Sequence, residues 1–198
     1  MADFQRAMRF LESGTFQPGT LEYKWWEYYD RIILANATAP NNYKFFATPE
    51  GQGGKDKSDT NWQIANQMPE SERMAVMYLC FYYIPYEIRT QAEYQKILDL
   101  LKSAYFTFSV YNKPPMIEFP LAVAFSAHAP LNITGAAAGD QNMSRSIWNG
   151  CYELGIEVPL AAKTTVSCSI TFGAATDADL DGDKIIFSMV GPKWNLGN

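Results

Sequence analysis

The sequence predicts a mainly β protein: a single eight-stranded antiparallel jelly-roll sandwich with one inserted helix and a short N-terminal helix. Three observations carry this. Past residue 104, one segment after another alternates apolar and polar residues with a period of two. Only one interior segment has a clear helical period. No strand–helix–strand rhythm runs along the chain, which excludes a parallel α/β sheet. At 198 residues the chain has the size of one domain, and an eight-stranded jelly roll fits that length. We divide it into an amphipathic arm, residues 1–19, and one jelly-roll domain, residues 20–198.

The elements follow in order. In DFQRAMRFLE, residues 3–12, helical spacing puts Phe4, Met8 and Leu11 on one face with Ala7, and Arg6 and Arg9 elsewhere. Such a helix docks on its own or a neighbouring subunit, or touches a membrane surface. Pro18-Gly19 breaks the chain. The run LEYKWWEYYDRIIL, within residues 20–34, is dense in strand-forming aromatics. RMAVMYLCFYYI, residues 73–84, is apolar at both parities, so it predicts a strand buried on both faces or at an interface. Thr90 and Glu93 form a capping box before Tyr94, Ile97, Leu98 and Leu101, which predicts a helix near 91–103. Strands are expected over 105–111, over 117–125 with Pro120 marking an edge or bulge, and over 152–158 with Tyr152, Leu154, Ile156 and Val158 on one face. Two more are expected over 164–172 and 184–190. Residues 131–147 read as a Gly/Ala/Asn-rich loop.

Composition narrows the function. The net charge is −5 with no basic run, so no direct nucleic-acid binding is expected. Charged residues are only 19% and aromatics 15%, which points to outer surface buried against a partner. No signal peptide or apolar span is expected, and the sequons at Asn36, Asn132 and Asn142 carry little weight without a secretory route. Cys80, Cys151 and Cys168 with one histidine do not make a zinc site. Cys151 and Cys168 could pair only on neighbouring strands, and Cys168 reads instead as a buried thiol.

The loop FFATPEGQGGKDKSDTNW, residues 45–62, ends a glycine cluster on a lysine. A phosphate-binding loop would need glycine where Pro49 stands and a hydroxyl where Asp56 stands. The dinucleotide pattern fails at Asp56 as well. Gly51, Gly53 and Gly54 are expected to supply positive φ, with Lys55, Asp56, Lys57 and Asp59 solvating the loop.

Asp177, Asp179, Asp181 and Asp183, with Gly182, match the first half of a calcium loop. Ser188 stands where the bidentate Glu belongs and Lys184 where an apolar residue belongs. The reading is an acidic hairpin tip with weak calcium binding, and no other cofactor is expected. His128 is the only histidine, and no Gly-x-Ser-x-Gly elbow is present, so no catalytic residue is assigned. Glu118, Glu153 and Glu157 lie on strands and are carboxylates to weigh for glycoside hydrolysis, as any acidic β protein would offer.

The order of elements resembles the jelly-roll major capsid proteins of tailless icosahedral bacteriophages. The resemblance is carried by FFATPEGQGGKDKSDTN after a short aromatic strand, MAVMYLCFYYIP leading to QAEYQKILDLLKS, then FTFSVYNKPPMIEFPLAV, an Ala/Gly loop, YELGIEVPLAAKTTVSCSITF and the LDGDKIIFSMVG hairpin. It covers roughly residues 40–192. The chain is too short for a double jelly roll and has no basic packaging arm. The resemblance implies a capsid protein that assembles with itself as trimers or pentamers, and with other capsid proteins, into a shell built in the host cytoplasm. It also implies contact of the N-terminal helix with an internal viral membrane. Phe4, Met8, Leu11, Trp25, Trp26, Gly51, Gly53, Gly54, Lys55, Asp56 and Lys57 are the expected interface residues. The runner-up is a β-sandwich module for carbohydrate or a host receptor, such as a spike or vertex protein, using Trp25, Trp26, Tyr28 and Tyr29. A calcium-dependent or hydrolytic enzyme on the same fold comes third.

Overall fold

The computed structural model describes residues 23–37, 40–87, 91–111, 113–125 and 148–195. The arm with Phe4, Met8 and Leu11 lies outside them, as do Thr90, His128, Asn132 and Asn142. Eight strands are described: β1 Tyr23–Ile33, β2 Pro40–Phe45, β3 Glu72–Ile84, β4 Ala104–Val110, β5 Ile117–Pro120, β6 Trp148–Leu160, β7 Val166–Ala175 and β8 Lys184–Asn195. Helix α1, Gln91–Ser103, stands between β3 and β4 where the capping box and helical period predict it.

The strands form two four-stranded sheets, ordered β1-β8-β3-β6 and β2-β7-β4-β5. Every pairing is antiparallel. The first strand pairs with the eighth, the second with the seventh, the third with the sixth and the fourth with the fifth. That is one long hairpin, folded at β4–β5 and rolled up. Rolling adds the β8–β3 and β7–β4 contacts. The result is a jelly roll, in which most connections cross between sheets.

A run of phenylalanine rings holds the sheets together. Phe81 and Phe187 on the first sheet meet Phe106 of the second at 4.9 Å between centroids, and Phe45 meets Phe187 at 5.2 Å. All four rings are fully buried. Each such ring pair adds about 0.5–1.5 kcal/mol to the burial itself.

Two local expectations are corrected. The strand foreseen over 117–125 stops at Pro120, and Leu121–Phe125 forms a short helix, α2. Proline lacks the N–H that a ladder needs, but it suits a helix start. Second, the β3–β6 register shifts between Val76 and Tyr78, with Val158 and Glu153 opposite them. The extra residues of β6 bulge, and Ile156 is left 80% exposed while Leu154 and Val158 stay in the core. A disulfide that the sequence reading did not assign joins Cys80 to Cys151 across β3 and β6. Cys168 is a free buried thiol, as read from the sequence, and burial holds its pKa well above the usual value.

Close backbone packing fixes two glycines. A Cβ on Gly191 would sit 2.0 Å from the carbonyl oxygen of Ala75, where β3 carries one residue more than β8. A Cβ on Gly150 would sit 1.6 Å from the carbonyl oxygen of Ala124 in α2. No helix among the described residues is long and apolar enough to cross a membrane.

Candidate functional site

The two outer faces of the sandwich differ in chemistry. Along β1 and just past it, Tyr28, Ile32 and Leu34 are buried in the core, while Trp25 (53% exposed) and Ile33 (51%) face outward. Residues paired across an antiparallel sheet share a face. Register therefore builds the outer face in rows: Trp25 beside Pro192, then Glu27–Val190–Tyr78–Glu153, then Tyr29–Ser188–Cys80–Cys151, then Arg31–Ile186–Tyr82, then Ile33–Lys184–Ile84. Tyr78, Tyr82, Ile84, Ile186 and Val190 are half-buried. Trp25 lies 6.2 Å from the Tyr78 ring. Burial, then the Glu27 carboxylate, pushes the Tyr82 hydroxyl pKa up. The face is mostly aromatic and aliphatic, with carboxylates near one end and cations near the other.

The other sheet is polar outside. Its outward residues include Asn42 on β2, Tyr105 and Thr107 on β4, Glu118 on β5, and Ser167, Ser169 and Thr171 on β7. They bond laterally: Asn42 Nδ2 donates to Thr171 Oγ1 at 2.8 Å, Thr107 and Ser169 hydroxyls pair at 2.7 Å, and the Tyr105 hydroxyl donates to Glu118 at 2.9 Å. That face carries its own lateral hydrogen bonds between polar side chains.

The glycine loop lies along the free edge of β1. Gly51, Gly53 and Gly54 have φ of 80°, 57° and 76°, the left-handed conformations expected of them. The tight turn brings Lys55 back, and Thr60 and Asn61 then bond the strand. Asn61 Oδ1 accepts from Tyr29 N at 2.9 Å, Asn61 Nδ2 donates to Glu27 O at 2.7 Å, and Thr60 Oγ1 donates to Tyr29 O at 3.0 Å. An open edge strand is a template for unwanted pairing. The loop closes this one over residues 27–30.

Two charges of the loop turn inward, contrary to the expectation that they solvate it. Lys55 Nζ lies 2.5 Å from Asp30 Oδ1, and Asp30 has no exposed surface. Asp30 also accepts from Phe46 N at 2.5 Å and Arg31 N at 3.0 Å. Burial raises the Asp30 pKa, and Lys55 and the two N–H groups offset only part of that rise. Asp59 is buried and paired with Arg31. Asp56 and Lys57 remain exposed, and hydrogen bonds from Ser58 hold the Asp56 pKa below the usual carboxylate range.

The aromatic run of β1 splits between faces. Trp26 and Tyr28 point inward, where the Lys193 ammonium lies 4.7 Å and 5.1 Å from their ring centroids. Lys193 is paired with Glu72, which also accepts from the Tyr28 hydroxyl. Only Trp25 and Tyr29 reach the outer face, so the four rings do not form one platform.

The four aspartates of the acidic turn do not converge on one point. Lys96 of α1 pairs with Asp177 at 3.0 Å and with Asp179. The Asp179 backbone N–H and then Lys96 lower the Asp177 pKa. Asp181 Oδ1 accepts from Asn36 N at 3.1 Å. Asp183 is buried and accepts from the Tyr83 hydroxyl at 2.6 Å and Tyr86 N at 2.7 Å. Among the described residues no group of three or more His, Cys, Asp or Glu side chains is arranged to hold a metal ion.

Tyr78, Tyr82, Ile186 and Val190 are the face residues that sequence reasoning did not assign. For Tyr78 and Tyr82 the signal was the apolar character of RMAVMYLCFYYI, residues 73–84, at both parities. The chain matches no known family model and no curated protein.

Proposed function

We propose that this chain is a structural capsid subunit that assembles with its own copies into an icosahedral shell. The observation that carries the reading is the contrast between the two outer faces of the jelly roll. A sheet that needs only solvent outside has alternating polar residues, as the second sheet does. The first sheet instead presents Trp25, Tyr78, Tyr82, Ile84, Ile186 and Val190 outside. Apolar surface of this extent fits a subunit interface. The resemblance in element order to jelly-roll capsid proteins supports the same reading, as do the low charge content and the net charge of −5.

In this reading the chain does no catalysis, resides in the virion and leaves nucleic acid to other components. The Cys80–Cys151 bond closes under oxidising conditions, so a shell assembled in a reducing cytoplasm would acquire it after release. A glycan- or receptor-binding module has less support, because Trp25 and Trp26 lie on opposite faces. The test is negative-stain microscopy of the purified chain across salt concentration. Closed shells or capsomer rings support the reading. Dispersed monomers throughout count against it.

A further inference from the structure

We propose that the outer face of the β1-β8-β3-β6 sheet packs on the same face of a second copy, about a two-fold axis lying in the interface and perpendicular to the strands. The inference rests on reading the chain as a self-assembling subunit, and it names one of its interfaces.

Size permits it. From Trp25 to Ile33 the face runs about 27 Å along the strands, and four strands are about 19 Å wide. That is at most about 500 Å² of projected area per copy and about 1,000 Å² for the pair, because the end rows span only two and three strands. A specific interface needs about that much. Two sheets packed face to face sit about 10 Å apart with interlocking side chains.

Charge selects the axis. Rotation about an axis perpendicular to the strands lays each row on its mirror row of the same strand. Glu27 then faces the partner's Arg31, whose guanidinium also holds Asp59 of its own chain, so no carboxylate meets a bare carboxylate there. Trp25 faces the partner's Ile33 and lies beside the partner's Lys184, a cation over an aromatic ring. The middle row lies on the axis, where Ser188 and Cys80 are already buried and Tyr29 and Cys151 carry the accessible surface. An axis parallel to the strands lays β1 on the partner's β6 instead. Glu27 would then oppose the partner's Glu153, and like charges facing each other destabilise. The face is self-complementary in the first arrangement and self-repelling in the second.

The test is sedimentation of the full chain across concentration, with circular dichroism confirming the fold of each variant. Trp25→Ser and Glu27→Arg, both at exposed positions of an intact strand, should weaken dimerisation at least tenfold. Glu153→Arg should leave it within about twofold, because the mirror position in β6, residue 149, carries no charge. Stronger association of Glu27→Arg would overturn the axis. Unchanged association of Trp25→Ser and Glu27→Arg in a chain that still assembles would place the interface elsewhere and overturn this inference alone. Stronger association after deletion of residues 1–19 would mean the chain's own arm covers the face, which also overturns it. A wild-type chain that is monomeric at every concentration would overturn both this inference and the capsid reading.

Discussion

Lys55, in the middle of the glycine loop, reaches back to Asp30 of β1, and its ammonium lies 2.5 Å from a carboxylate with no solvent exposure. This pair is what the glycines serve. Their left-handed φ values allow a turn tight enough to return the lysine to the strand, and the residues that follow close the strand's edge.

Replacing Lys55 with Met should therefore destabilise the fold in a pH-dependent way. Removing one partner of a buried ion pair leaves the other charge uncompensated, at a cost of about 3 kcal/mol near pH 7. Asp30 already has a folded pKa above its ordinary 3.8, and losing Lys55 lifts it further. With the folded pKa above the unfolded one, the folded state takes up the proton first as pH falls. The penalty should be largest at high pH, shrink as pH drops through the raised folded pKa, and be nearly gone below 3.8. Urea titrations of both proteins at several pH values measure this. A penalty independent of pH would mean that Asp30 is not the group responsible.

Gly191→Ala should be among the most damaging single substitutions. The new Cβ would lie 2.0 Å from the Ala75 carbonyl oxygen, which is backbone and cannot rotate away. We expect a loss of more than about 3 kcal/mol, or insoluble protein. Thermal melts decide it, with Gly155→Ala as the control, because nothing lies within 4 Å of a Cβ there.

The Cys80–Cys151 bond closes a loop with a sequence separation of 71. Replacing both cysteines with serine should cost about 2–4 kcal/mol in denaturant titration. Peptide mapping of oxidised protein should find Cys80 linked to Cys151 and Cys168 alkylated only after unfolding. A Cys151–Cys168 link would contradict the sheet register.

Calcium should not bind the acidic turn appreciably at millimolar concentration. Lys96 occupies Asp177 and Asp179, and Asp183 is committed to Tyr83 and Tyr86. Calorimetry on the wild type should show no heat. If removing Lys96 matters, Lys96→Ala should show weak binding that Asp179→Ala abolishes. Strong heat from the wild type would mean the lysine is readily displaced.

Local patterns were legible in the sequence. Val166, Cys168, Ile170 and Phe172 alternate and are buried as their period says, and α1 runs over the predicted residues. Partnerships between distant elements were not. The disulfide depended on β3 lying beside β6, which no local pattern encodes. Pro120 read as a break within a strand because α2 is too short to show a helical period. The Lys55–Asp30 pair did leave a trace. Asp30 shares strand parity with Tyr28, Ile32 and Leu34, so an acid stood in an inward-facing apolar row. Such an acid needs a buried partner, and the nearby loop supplied the lysine. The contrast between the outer faces required knowing which sheet each strand joins.

The most direct test of the central claim is the molar mass of the purified chain in solution, by multi-angle light scattering over a range of concentration and salt. The account predicts multiples of the 22.3 kDa monomer that grow with concentration. A single 22.3 kDa species under every condition would contradict it.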